Sequence, residues 1–193
     1  MDWRRIEEAG LNGLQTQRQL FYDGWLLRVS PGKAKRARSV NAHFGSSLPL
    51  QRKIDYCERV YRERELPVLF RITPFVAPGE LDDALAKRDY VLYQPTLVQG
   101  IALAGPPDMF VADVELRPLA AGPFVDAVAE LQRLSVEQRA AHLERIAELP
   151  LANRAVVAFR DGQVVGCGQV MLEDDIAGIF SMVTAEHVRG QGI

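Results

Sequence analysis

The residues with the clearest chemical potential are the last six, Val188-Arg189-Gly190-Gln191-Gly192-Ile193. Two glycines alternate with ordinary residues, so no Cβ blocks the approach of an anion to the backbone at those positions. Successive N–H groups in such a turn can point one way and form a concavity for phosphate. A helix starting just after it would add unpaired N–H donors and the positive end of a dipole, completing a pyrophosphate cradle. Arg189 can add charge or point to solvent. No Gly-Lys-Ser/Thr follows the glycines, which argues against a P-loop nucleotide hydrolase. His187 stands beside the turn and reads first as a turn residue.

Other chemically able residues are weaker candidates. Glu173-Asp174-Asp175 reads as a solvated turn. Arg28, Lys33, Lys35, Arg36 and Arg38 flank Pro31-Gly32 and read as a solvated basic loop. Such a loop could meet a 3′-phosphate or an acidic substrate, but no aromatic interleaving suggests nucleic acid. His43 and His142 are isolated and read as structural, while Cys167 and Trp25 read as core. Cys57 and Cys167 lie far apart without a CxxC, so neither a disulfide framework nor a cysteine metal site is expected.

The elements that must position the turn come from periodicity. Trp3 to Leu20 has a loose helical pattern broken by Gly10 and Gly13. Trp25–Val29 and Arg38–Phe44 read as strands, and Pro31-Gly32 closes the first. Leu50, Ile54, Cys57 and Tyr61 fall on one helix face. Leu66–Ile72 reads as a buried strand and Leu81–Arg88 as a short helix. Tyr90–Leu103 alternates enough for one or two strands. Residues 105–113 carry Gly105, Pro106 and Pro107 and read as a linker between residues 1–104 and 114–193. After it come a strand at 114–119 and a helix carrying Phe124, Val125, Val128 and Leu131. Ser135 and Gln138, at capping-box spacing, open another helix. Two strand-like runs then meet at Asp161-Gly162, the two-residue type I′ hairpin signature. A strand at 176–183 leads into the glycine turn. The fold class is α/β, with a mixed, largely antiparallel sheet flanked by helices.

With that order in place, His187-Val188-Arg189-Gly190-Gln191-Gly192 resembles the Q/R-x-x-G-x-G/A motif of the GNAT superfamily of acyl-CoA-dependent N-acyltransferases. His187 stands where many members have Gln or Arg. The resemblance spans residues 114–193 in element order, and residues 20–104 resemble a degenerate lobe of the same fold without a glycine cradle, with an unrelated α/β substrate domain as the alternative for that lobe. It implies an N-acetyltransferase that moves the acetyl group of acetyl-CoA to a small-molecule or peptide amine by direct attack, with no metal. A non-catalytic acyl-CoA-binding module of the same fold is the alternative. The backbone of Ser181, Met182 and Val183 would pair with the pantetheine arm, and the Ser181 N–H would be the oxyanion donor. The pyrophosphate would rest on the N–H groups of Val188, Arg189, Gly190, Gln191, Gly192 and Ile193. No general base or acid can be carried over: Ile176-Ala177-Gly178 has no carboxylate where some members have a glutamate. With no helix after the glycines, the chain is expected to be a fragment of a longer protein or to leave the edge at 176–183 to a partner.

A net charge of −2, no apolar run long enough to span a membrane and no secretory signal point to a cytoplasmic protein that binds neither nucleic acid nor membrane. A homodimer is allowed for as its assembly.

Overall fold

The computed structural model describes residues 2–45, 47–105 and 113–193. The chain forms two compact units, one of residues 16–100 and the other of residues 1–15 with 101–193. The expected linker lies outside the described residues over 106–112. The N-terminal helix groups with the C-terminal unit, whereas sequence reading placed it in the first lobe.

The unit of residues 16–100 holds β1 (Gln19–Tyr22), β2 (Trp25–Arg28), β3 (Val40–Ala42) and β4 (Phe70–Arg71) in that order, with α2 (Leu50–Arg62) and α3 (Leu81–Ala86). β1 and β2 form an antiparallel hairpin, β3 adds antiparallel, and β4 joins β3 in parallel after α2. The hairpin turn is Asp23-Gly24, at φ 43° and 83°, which fits a type I′ turn. Residues after Asn12 therefore do not continue a helix to Leu20 as expected, because β1 pairs with β2 residue for residue. Trp25, Leu27, Val40, Ile54, Cys57, Tyr61 and Leu81 form the core, so the expected helix face and the expected core Trp25 are in place. Lys53 is also fully buried. Its Nζ donates to the Asp23 carbonyl at 2.5 Å and lies 4.1 Å from the Trp25 ring centroid. Burial lowers the Lys53 pKa, and Asp23 opposes this by hydrogen bonding and charge.

Two expectations for this unit fail. Tyr90–Leu103 forms no strand, and Val91, Leu92, Leu97 and Ile101 are exposed. Gln94 sits at φ 50°, and Pro95 after it has no N–H for a ladder, so the alternating run is broken at its middle. The basic stretch is not simply a solvated loop. Arg28 is buried on β2, with its Nε donating to Gln19 Oε1 at 3.1 Å.

The second unit opens with α1 (Trp3–Asn12), whose N-cap Asp2 accepts from the Arg4 and Arg5 N–H groups. Its sheet is β5 (Glu115–Pro118), β6 (Ala152–Arg160), β7 (Gln163–Glu173) and β8 (Ile176–Thr184), antiparallel throughout. Asp161 and Gly162, at φ 51° and 76°, make the expected tight turn between β6 and β7. α4 (Ala121–Gln132) and α5 (Val136–Ala147) follow β5, and Ser135 and Gln138 make a reciprocal capping box. Phe124, Val125 and Val128 of α4 bury against Ile146 of α5 and against Ala155, Val157 and Cys167 of the sheet. This contact sets one face of β6, β7 and β8 as the packed face. It places the start of β7 and the end of β8 beside the glycine turn.

Candidate functional site

β8 is the outer strand, hydrogen-bonded only to β7 among the described residues. Outward N–H and C=O groups on such an edge are open to an added extended partner.

The edge is also kinked. Cys167 lies opposite Val183 and Gln169 opposite Phe180, so Ser181 and Met182 together face the single residue Gly168. This is a β-bulge. Ser181 sits at φ 51°, where an L-residue is strained. Its carbonyl accepts from the Cys167 thiol at 3.8 Å. In a trans peptide the next N–H points the opposite way, so the Met182 N–H is turned off the packed face. A Cβ on Gly168 would lie 2.3 Å from Met182 Sδ, and one on Gly13 would lie 2.5 Å from the Phe180 ring. Burial raises the Cys167 pKa to about 11, so the thiol stays protonated and is no nucleophile.

Past Thr184, the Ala185 N–H donates to the Val165 carbonyl at 2.9 Å, and Glu186–Val188 forms one 3₁₀ turn. Val188 is buried with Ala158, Val165 and Ala185, and Ile193 packs against them. Gly190 and Gly192 follow at φ 78° and 80°, a region glycine enters at little cost. Not every expected donor remains open. The Val188 N–H already donates to the Ala185 carbonyl at 3.1 Å. The Arg189 and Gln191 N–H groups make long bonds of 3.4 Å to Glu186 and Val188. Among the described residues, no backbone carbonyl accepts from the N–H groups of Gly190, Gly192 or Ile193.

Arg189 Nε folds back onto the Thr184 carbonyl at 3.3 Å. The Gln191 side chain braces the turn, donating to the His187 carbonyl at 3.3 Å and accepting from Arg160 Nη1 at 2.8 Å. Sequence reading passed over Arg160, which stands at the corner of the Asp161-Gly162 hairpin. No local signal ties it to a turn 31 residues later.

Glu173 is not part of a freely solvated turn. Asn12 Nδ2 donates to it at 2.9 Å and Arg5 Nη2 at 3.2 Å. It therefore ties α1 to the end of β7. Glu173 pairs with Ile176, at the opposite end of β8 from the glycine turn. With about 3.3 Å per residue along a strand, that is roughly 16 Å from Ser181. His142 is buried against Phe124, and its Nε2 has no hydrogen-bond partner. Burial, and secondarily Arg145, pull its pKa down to about 3. His142 is thus a neutral core residue. Among the described residues no cluster of His, Cys, Asp and Glu could hold a metal, and no helix is long and apolar enough to cross a membrane.

Two known proteins resemble this chain. A solved structure, "GCN5-related N-acetyltransferase from Kribbella flavida", superposes with a TM-score of 0.58 at 14% identity, over 97% of this chain and 74% of that one. The fold is that of the GNAT superfamily. In sequence the chain is similar to the "Uncharacterized N-acetyltransferase YobR" of Bacillus subtilis (strain 168). It is 26% identical over 197 residues, spanning 99% of this chain and 78% of that protein. No family model matches the chain.

Proposed function

We propose that this GNAT-fold chain is an N-acetyltransferase using acetyl-CoA as co-substrate and a primary amine as acceptor. The observation that carries the reading is the bulged open edge of β8 running directly into the positive-φ glycine turn. The edge offers backbone pairing to the pantetheine amides, and the turn offers N–H donors to the pyrophosphate. At the bulge, between the two, the Met182 N–H would be the donor to a thioester carbonyl as it develops charge. The neutral amine attacks that carbonyl and forms the C–N bond. The C–S bond breaks, the thiolate leaves, and the amine proton ends on the thiol or solvent. Positioning and desolvation supply most of the rate in this scheme.

The second reading, a module that binds acyl-CoA without turnover, is favoured by one observation. Ile176–Thr184 has no carboxylate or histidine, and Glu173 is engaged by Arg5 and Asn12. Calorimetric titration with acetyl-CoA and with ATP, followed by thiol release over a panel of primary amines, tests both readings. Binding of acetyl-CoA but not ATP, with thiol release, supports the enzyme. Binding of ATP alone would refute the GNAT-type function.

A further inference from the structure

We infer that Arg160, at the end of β6, is a phosphate-binding residue of the glycine turn, its guanidinium donating to the pyrophosphate of acetyl-CoA. The inference deepens the acetyltransferase reading and rests on it. Arg160 stands at the corner of the Asp161-Gly162 hairpin and is only half-buried. Neutral acceptors at the surface hold its cation: Nε donates to the Asp113 carbonyl at 3.2 Å and Nη1 to Gln191 Oε1 at 2.8 Å. Among the described residues no carboxylate pairs with it and Nη2 has no partner. Its charge is therefore left for an anion.

The turn places that charge beside its own open donors. Val188 and Ile193 pack with Ala158 and Val165, which seats the turn on the hairpin that carries Arg160. Gln191, which takes the guanidinium, stands between Gly190 and Gly192, each Cα about 3.8 Å from its own. The N–H groups of both glycines donate to no backbone carbonyl among the described residues. The other nearby cation, Arg189, turns its Nε back to the Thr184 carbonyl at 3.3 Å. A guanidinium fork matches two phosphate oxygens, and its bonds to an anion are about twice as strong as those to a neutral acceptor. Gln191 Oε1 thus holds one arm of the fork until a phosphate oxygen displaces it.

The experiment is calorimetric titration of the full chain with acetyl-CoA and with 3′-dephospho-acetyl-CoA, at low and at physiological salt. Arg160→Gln removes the charge but keeps an amide donor. It should bind both thioesters about 10-fold more weakly than wild type at low salt, with a shallower salt dependence. Arg160→Lys keeps the charge without the fork, so it should lose less affinity and retain the wild-type salt dependence. Thermal melts check that both variants fold. In the wild type, the Arg160 Nε–H signal of a ¹H–¹⁵N spectrum should shift as acetyl-CoA saturates. Equal affinity of wild type and Arg160→Gln overturns the assignment, as does an equal loss with equal salt dependence in the two variants, which marks a mere brace. A loss seen with acetyl-CoA but not with the 3′-dephospho form moves the contact to the 3′-phosphate and also overturns it. Failure of the wild type to bind either thioester would instead overturn the acetyltransferase reading beneath it.

Discussion

Replacing Ser181 separates a backbone role from a hydroxyl role. At φ 51° the serine stands in the left-handed region, which costs an L-residue roughly 1–2 kcal/mol. Ser181→Gly removes that strain but adds about 0.5–1 kcal/mol of backbone entropy, for a net gain of about 0–1.5 kcal/mol. Ser181→Val, β-branched, is a genuine outlier there and should destabilise by about 2 kcal/mol. In a chain of 193 residues that lowers Tm by about 4–8 °C. The glycine variant keeps the bulge N–H groups, so acetyl-CoA affinity and turnover should stay within about threefold of wild type, a shift of under 1 kcal/mol. Scanning calorimetry, titration with acetyl-CoA and thiol release measure all three. A folded glycine variant that loses turnover by more than tenfold would show that the hydroxyl does chemistry and would refute the backbone account.

Three further outcomes follow from the same geometry. Gly192→Val forces a β-branched residue to φ 80°, and should weaken acetyl-CoA binding in calorimetry by about tenfold or more while the far-UV spectrum stays native. Glu173→Gln loses the charge-assisted bonds from Arg5 and Asn12, and should lower stability by about 1 kcal/mol in urea unfolding with turnover unchanged. The folded-state pKa of His142 is about 3, below its unfolded value. The unfolded state therefore binds the extra proton first, and stability falls as pH drops below about 6.5 toward 3. His142 contributes up to about 1.4 kcal/mol per pH unit in that window, and His142→Leu should flatten this limb of the stability–pH curve.

Signals carried within a few residues were legible in the sequence. Asp161-Gly162 marked its hairpin, Ser135 and Gln138 their capping box, and Leu50 to Tyr61 a buried helix face. The Asp23-Gly24 hairpin carried the same signature but was missed, because β1 is only four residues and its apolar residues also fit a helical period. The glycine turn was legible as a turn, with Gly190 and Gly192 both at positive φ. Which of its N–H groups remain open was not, since that depends on the 3₁₀ turn at Glu186–Val188. The bulge at Ser181 requires strand register, which a single strand's sequence does not carry. The bonds from Arg5 and Asn12 to Glu173 cross 168 and 161 residues, and only tertiary packing brings them together.

The central claim is that the β8 edge and the glycine turn together form one acetyl-CoA site. It is tested most directly by backbone amide ¹H–¹⁵N spectra during titration with acetyl-CoA. The account predicts saturable shifts concentrated at Ile179 to Val183 and at Gly190 to Ile193, with β5 unmoved. Saturable binding that shifts neither segment would contradict it.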